Sequence, residues 1–143
     1  MTSARKTKVI DAQLVALPQH ATEVGSLVVY QGDETEQFEA RRAYFLYDVP
    51  SEAERGGHAH LDLEQIIVAL SGSFDVIIDD GVNQSVVTLH QPTQGLRLPP
   101  GLWRELKNFS GGSICLVLAS EEYDEGDYIR GYEDFKSWKN HQR

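Results

Sequence analysis

The stretch "EQIIVALSGSFDVIID", residues 64–79, decides the fold class of this chain. Two apolar runs, 64–70 and 74–79, are rich in isoleucine and valine, which favour β-strands. They flank "SGS" at 71–73, and small polar residues and glycine are typical of a tight turn. The stretch therefore predicts a β-hairpin.

Similar short runs fill most of the chain. They are separated by Pro18, Pro50, "DDGVNQ" at 79–84, "PPG" at 99–101 and "SGG" at 110–112. Many short strands with turn signals at this spacing predict an all-β sandwich or barrel. The runs are "KVIDAQLVAL" (8–17), "GSLVVYQG" (25–32), "RRAYFLYDV" (41–49), "SVVTL" (85–89), "GLRL" (95–98), "WRELKNF" (103–109) and "SICLVLA" (113–119).

Only the end of the chain has a helical pattern. In "YEDFKSWKN", residues 132–140, Tyr132, Phe135 and Trp138 recur every three residues and fall close to one helix face. We expect a short C-terminal helix that covers a sheet with these aromatic side chains.

Length and composition narrow the class of protein. The 143 residues fit a single domain spanning 1–143. A net charge of −9 disfavours a nucleic-acid partner, because binding phosphate backbones needs a basic surface. The one cysteine, Cys115, excludes an intramolecular disulfide and a cysteine-based zinc site, and it lies in an apolar run typical of a core. With neither a signal-peptide pattern nor an apolar run of membrane-spanning length, we expect no membrane partner and a cytoplasmic location.

Two histidines in "RGGHAH", residues 55–60, are the first candidate functional residues. In a strand, alternate side chains share a face, so His58 and His60 point one way and Ala59 the other. Gly56 and Gly57 allow a bend or a close backbone approach just before them. Paired histidines beside an arginine and acidic residues point to a functional site rather than to packing.

The spacing around these histidines resembles the cupin superfamily, a small β-barrel of jelly-roll type. "HAHLDLEQIIVALSG", residues 58–72, is similar to the first cupin motif, with Gln65 at the acid position and Gly72 at the glycine. "PPGLWRELKN", residues 99–108, is similar to the second motif, but Arg104 stands at the histidine position. The resemblance implies an all-β cupin fold.

The departures from the cupin pattern bear on metal binding. Metal cupins normally offer three histidines and one carboxylate, whereas Arg104 has no lone pair to donate and repels a cation. A site made of two histidines and the Glu64 carboxylate stays open. Glu64 and Gln65 are adjacent, so in a strand they cannot both point inward. We expect no metal at this site.

Across almost the whole chain the sequence resembles the nucleotide-sugar 3,4-ketoisomerases, the WxcM-like cupins. Five segments carry the likeness: "RRAYFLYDVP", "RGGHAH", "IIVALSGSFDVIIDDG", "PPGLWRELKNFS" and "LVLASEEYDEGDYIRGYEDF". The resemblance implies a homodimer that converts dTDP-4-keto-6-deoxyglucose into a dTDP-3-keto-6-deoxyhexose without metal. It also implies a place in the biosynthesis of 3-amino sugars for surface glycans, such as the lipopolysaccharide O-antigen or an S-layer glycan.

The chemistry of a 3,4-keto shift suits a histidine pair. One proton moves between adjacent carbons through an enediol and another moves between their oxygens, so no redox cofactor is needed. Histidine is the side chain whose pKa lies nearest neutral pH, which a general base requires. By resemblance we expect His60 to exchange the carbon proton and His58 the oxygen proton.

The implied substrate also needs anchoring groups. Arginine forks bind pyrophosphate, and Arg42, Arg55, Arg104 and Arg130 are the candidates. Aromatic rings can stack on or hydrogen-bond to the base or the sugar. The aromatic candidates are Tyr44, which alternates with Arg42, and Trp103, for which simple core packing is an equally good interpretation.

Two other functions stay open at this point. One is a metal-dependent cupin enzyme, such as a dioxygenase or a sugar isomerase. The other is a non-catalytic sugar-binding cupin, which would not need a general base. The sequence does not determine the configuration of the product at C4.

Overall fold

The computed structural model describes residues 4–32 and 37–141 and consists mainly of β-strands. Three short 3-10 turns cover Ala4–Lys6, Val9–Asp11 and Glu125–Asp127, and one helix, α1, covers Tyr132–Asn140. The strands are β1 (Gln13–Ala16), β2 (Gln19–Thr22), β3 (Gly25–Val28), β4 (Arg42–Tyr47), β5 (Arg55–His60), β6 (Gln65–Ser71), β7 (Phe74–Asp79), β8 (Gln84–Leu89), β9 (Gln94–Leu98), β10 (Trp103–Lys107), β11 (Ile114–Ala119) and β12 (Tyr128–Ile129).

The strands form two antiparallel five-stranded sheets, with β2 and β3 as a separate two-stranded ribbon. The order is β1-β9-β6-β11-β4 in the first sheet and β12-β5-β10-β7-β8 in the second. The main core lies between them, where side chains such as Ile67 and Val117 of the first sheet meet Val76 and Leu106 of the second. The expected all-β, cupin-like fold with one C-terminal helix is confirmed.

The hairpin expected at residues 64–79 is wrong. β6 pairs with β9 and β11 in the first sheet, whereas β7 pairs with β8 and β10 in the second. The turn at 71–73 thus carries the chain from one sheet to the other. It is fixed by the 110–113 loop, because Ser110 Oγ accepts a hydrogen bond from the Ser73 amide and the Ser110 amide donates to the Ser73 carbonyl. Turn composition predicts a change of direction but not which strands then pair.

The C-terminal helix covers the outer face of the second sheet, as the aromatic spacing predicts. Phe135 is fully buried against Ala59 and Trp103, with Tyr132 and Trp138 packed around them. Burial of Ala59 under this helix turns the alternate residues of β5, His58 and His60, away from it. The helix therefore closes one side of the strand that carries the histidine pair.

A bulge in β5 sets the position of the histidines. In its pairing with β10, His58 lies opposite Arg104 and Gly56 opposite Glu105, so Gly57 is an extra residue. Gly56 and Gly57 have φ angles of 84° and 73°, in the left-handed region that favours glycine. A Cβ on Gly56 would lie 3.0 Å from the Arg104 carbonyl oxygen. Glycine thus gives both the bend and the close approach that the sequence suggests.

Candidate active site

A cavity of about 460 Å³ opens between the two sheets, next to the histidine pair. Its walls come from β4, β6 and β11 on one side and from β5, β10 and β12 on the other. The polar and charged lining residues are Arg42, Tyr44, Glu54, Arg55, His58, Gln65, Arg104, Tyr128 and Arg130. The protein carries a net charge of −9, yet this lining holds four arginines against one glutamate. The cavity is therefore locally suited to an anion.

His58 and His60 lie side by side, with their ring centroids 4.9 Å apart. His58 lines the cavity, whereas His60 lies behind it and is fully buried. Tyr128 packs against both rings, at 5.0 Å from His58 and 4.4 Å from His60. Among the described residues, the Nε2 atom of each histidine is buried and has no hydrogen-bond partner. Buried polar atoms without a partner are uncommon in proteins and mark this pair as a candidate functional site.

Both histidines are neutral at physiological pH. Burial, followed by the nearby Arg104 charge, lowers the pKa of His58 to about 3. The same two causes, in the same order, lower the pKa of His60 well below its usual value. A neutral imidazole has one nitrogen that can accept a proton, but a lowered pKa makes each ring a weaker base than a free imidazole.

Arg104 is itself buried at the centre of the site, with 1% of its surface exposed. Its Nη1 donates to Gln65 Oε1 at 2.5 Å and its Nη2 donates to the Leu102 carbonyl at 3.1 Å. Gln65 in turn donates to the Tyr44 hydroxyl at 3.3 Å. Burial lowers the pKa of Arg104 to about 10, so the guanidinium remains charged at neutral pH. A fixed cation therefore occupies the second-motif position where metal cupins place a histidine.

The alternative carboxylate ligand, Glu64, points away from the cavity. Its side chain forms an ion pair with Arg97, and the adjacent Gln65 lines the cavity instead. This arrangement follows from the alternation of β-strand side chains. A site of two histidines and the Glu64 carboxylate is thus contradicted by the geometry. Across residues 4–32 and 37–141, no three histidine, cysteine, aspartate or glutamate side chains are grouped to hold a metal ion.

Arg42 and Tyr44 both line the cavity, as their alternation in β4 suggests. The Arg42 guanidinium lies 5.3 Å from the Tyr44 ring and 5.5 Å from the Tyr123 ring. Its Nε and Nη2 atoms are buried and have no hydrogen-bond partner within the described part of the chain. Two unpaired donors of a charged fork facing a cavity fit an anionic ligand.

Arg55 and Arg130 complete the expected set of cavity arginines. Arg55 is exposed at the cavity mouth. Arg130 lies over the Tyr128 ring, 4.2 Å from its centroid, and donates through Nε and Nη2 to Glu125 at 2.7 and 2.8 Å. An anionic ligand at Arg130 would therefore compete with the Glu125 carboxylate.

Among the described residues, Trp103 is not part of the cavity lining. It is 5% exposed and packs on the outer face of the second sheet against Phe135 and Tyr132. The reason is alternation: Arg104 points inward, so its neighbour Trp103 points outward. The packing interpretation left open by the sequence is the correct one.

Two residues that the sequence analysis does not name as candidates lie next to the histidines. Asp127 Oδ2 lies 2.9 Å from His60 Nδ1, and Tyr128 contacts both histidine rings. They reach β5 through β12, in which Tyr128 pairs with His60 and Ile129 with Ala59. A two-residue strand has no periodic signal, and only the acidic and aromatic "EGDYIRGY" segment could have indicated it.

No helix among the described residues is both long and apolar enough to cross a membrane.

Two facing antiparallel sheets with a histidine pair between them define a cupin-like protein. The family model described as FdtA, WxcM-like, C-terminal matches residues 10–140. The chain therefore belongs to this family.

Three relatives are similar over most of the chain. The TDP-4-oxo-6-deoxy-alpha-D-glucose-3,4-oxoisomerase of Aneurinibacillus thermoaerophilus is 44% identical over 114 residues, which are 80% of this chain and 82% of the relative. A 3,4-ketoisomerase structure from Helicobacter canadensis has a TM-score of 0.87 at 37% identity, covering 91% of this chain and 98% of that one. The third is a histidine-to-asparagine variant of QdtA from Thermoanaerobacterium thermosaccharolyticum, solved with TDP-4-keto-6-deoxyglucose. Its TM-score is 0.90 at 30% identity, over 94% and 98% of the two chains.

The depressed histidine pKa values predict a loss of stability in mild acid. The pKa of His58 is about 3 in the folded state and about 6.5 when unfolded. Between these values the unfolded chain binds more protons, so stability falls as the pH falls. His58 alone should lower the free energy of unfolding by about 1.4 kcal/mol per pH unit in this window.

Urea unfolding at about pH 7 and about pH 5 measures this dependence. His58→Asn should reduce the pH slope, whereas His20→Asn, at an exposed histidine, should leave it unchanged. Equal slopes for the wild type and His58→Asn would show that His58 is not buried in its neutral form.

Proposed function

We propose that the protein converts dTDP-4-keto-6-deoxy-D-glucose into a dTDP-3-keto-6-deoxyhexose by proton transfer through His58 and His60. The observation that carries this proposal is the histidine pair itself. Two neutral rings lie side by side at an arginine-lined cavity, and each has an unpartnered Nε2. The related 3,4-ketoisomerases, one of them solved with TDP-4-keto-6-deoxyglucose, support the choice of substrate.

The reaction balances without a cofactor. A base takes the proton from C3, which the neighbouring C4 carbonyl acidifies, and the electron pair of the C–H bond forms the enediol double bond. C4 then receives a proton, while the hydroxyl proton of C3 moves to the oxygen on C4. C3 is oxidised and C4 is reduced by the same electron pair, so substrate and product are isomers.

We infer a division of work between the histidines from their depth. A general base must come within hydrogen-bond distance of the proton that it removes. His58 lines the cavity and His60 lies behind it. This favours His58 for the carbon proton and His60 for the proton between the oxygens. The assignment reverses the one that the sequence resemblance suggests.

The arginines provide the anion site for the pyrophosphate. Arg42 has two unpaired nitrogen donors, and Arg55 is exposed at the mouth of the same cavity. Arg130 joins them when the ligand replaces Glu125. Tyr44, beside Arg42, is the aromatic residue available for stacking on or hydrogen bonding to the base or the sugar.

Buried Arg104 is the basis for proposing a reaction without metal. Its guanidinium lies in the strand register opposite His58 and stays charged at neutral pH. A divalent ion at the histidines would meet this charge inside a low-dielectric site. With a substrate bound beside the histidines, the Arg104 guanidinium can instead stabilise the negative charge that develops on the enediolate oxygens.

The chain would act as one domain and as a homodimer. Phe45 and Tyr47 are 59% and 62% exposed on β4, an edge strand of the first sheet. The β2–β3 ribbon is also largely exposed, and among residues 4–32 and 37–141 it pairs with neither large sheet. Isolated two-stranded ribbons are marginally stable in water, and exposed aromatics on an edge favour association.

We also propose that the reaction takes place in the cytoplasm. Its product would then be transaminated to give the 3-amino sugars of an O-antigen or S-layer glycan.

Turnover can be followed by proton NMR with dTDP-4-keto-6-deoxyglucose and a chelator present. The wild type should convert the substrate, whereas His58→Asn and His60→Asn should each lose on the order of 10²-fold or more in kcat. Calorimetry should show that both variants still bind dTDP. His90→Asn, at an exposed histidine, is the matched control and should keep full activity.

Three outcomes would contradict the proposal in different ways. Tight dTDP binding without turnover would favour a sugar-binding cupin. Loss of turnover in chelator, restored by a stoichiometric metal, would favour a metal enzyme. Near-normal turnover by both asparagine variants would remove the histidines from the mechanism.

Light scattering at micromolar concentration tests the dimer. The expected mass is twice the chain mass of 16.0 kDa. Replacing both Phe45 and Tyr47 with lysine should shift the protein to monomers, because charges on an edge strand oppose association. A wild-type monomer at this concentration would refute the dimer.

A further inference from the structure

We infer that Asp127 is a positioning residue that fixes which nitrogen of His60 carries the proton. The inference rests on the proposed function and adds a residue to it. It starts from the contacts of one carboxylate, at the end of the 3-10 turn Glu125–Asp127.

Asp127 is surrounded by hydrogen-bond donors. Its Oδ1 accepts from the Asp62 amide at 2.8 Å, and its Oδ2 accepts from the Leu63 amide at 3.3 Å. Its carbonyl accepts from the Leu61 amide at 2.9 Å. Both carboxylate oxygens therefore already act as acceptors, which is the pattern of an ionised aspartate.

This pattern determines the tautomer of His60. Oδ2 of Asp127 lies 2.9 Å from His60 Nδ1, and an acceptor at that distance requires a donor opposite it. His60 is neutral, so the proton must sit on Nδ1 and the lone pair on Nε2. Nε2 is the atom that has no partner among the described residues. The carboxylate thus leaves Nε2 as the basic nitrogen of His60.

Asp127 also supports the protonated form of His60. Burial and the charges of Arg104, Arg42 and Arg130 all oppose an imidazolium at this position. A carboxylate 2.9 Å from Nδ1, with only 12% of its side chain exposed, acts in the opposite direction when Nε2 takes a proton. His58 has no such carboxylate contact in the described structure, so the two histidines differ in this respect.

An asparagine at position 127 would disturb this arrangement in a defined way. The carboxylate accepts through both oxygens, whereas an amide has one oxygen and one NH2 group. If the side-chain oxygen in Asp127→Asn still accepts a hydrogen bond from the Asp62 amide, the side-chain NH2 group of this variant faces His60 Nδ1. Nδ1 must then become the acceptor, the proton moves to Nε2, and His60 can no longer take a proton there.

The experiment uses 15N-labelled histidine in the full-length protein at neutral pH. Long-range 1H–15N spectra distinguish the two tautomers of a neutral ring. In the wild type we expect the His60 proton on Nδ1. In Asp127→Asn we expect a population with the proton on Nε2, a loss of kcat on the order of 10²-fold, and a Kd for dTDP within about threefold of the wild type.

Asp62→Asn is the matched control. Asp62 is exposed, and it contacts Asp127 through its backbone amide rather than its side chain. This variant should keep both the tautomer and the turnover of the wild type. Asp127→Glu, which retains two acceptor oxygens, should recover part of the activity lost in Asp127→Asn.

Two results would overturn the inference. One is a wild-type His60 with its proton on Nε2, which can be observed even if Asp127→Asn does not fold. The other is a folded Asp127→Asn protein with wild-type turnover. The tautomer measurement needs no substrate, so a wild type that fails to isomerise the dTDP-sugar would refute the proposed function without deciding the role of Asp127.

Discussion

The pairing of Arg104 with His58 across β10 and β5 is the contact on which the rest of the site depends. Arg104 is 1% exposed, and Gln65 and the Leu102 carbonyl hold its guanidinium in place. After burial itself, its charge is the largest cause that lowers the pKa of both histidines. Burial and this one cation together keep two imidazoles neutral, and the cation stands where metal cupins place a histidine ligand. The Arg104 charge can also stabilise an anionic intermediate. Arg104 therefore affects both the protonation of the histidines and the stabilisation of negative charge.

Local patterns predicted most of the elements that build this site. The period of two in β4 and β5 placed Arg42 with Tyr44 and His58 with His60, because alternation depends only on backbone geometry. The aromatic spacing at 132–140 likewise identified the face of α1 that covers Ala59. Resemblance to the cupin motifs added the position of Arg104, which no periodic pattern would have marked as functional.

What the sequence could not predict depends on contacts between distant segments. The turn at 71–73 joins two sheets rather than two paired strands, and the loop at 110–113 that holds it lies far along the chain. Trp103 packs on the outer face of the second sheet against Phe135 of α1, which lies far along the chain. Asp127 is brought to His60 because the next two residues form β12, which pairs with β5. A strand of two residues is too short to show a periodic sequence pattern. In each case the deciding interaction joins residues that no local window contains.

The central claim is proton transfer by two neutral, unligated histidines, and solvent isotope incorporation tests it most directly. Wild-type protein and dTDP-4-keto-6-deoxyglucose are incubated in heavy water with a chelator, and the product is examined by NMR. A base that exchanges its proton with solvent should place deuterium on C4 while the hydrogen of C3 is lost. A product that keeps the original hydrogen, now on C4, with no deuterium on either carbon, would contradict a base that exchanges its proton with solvent.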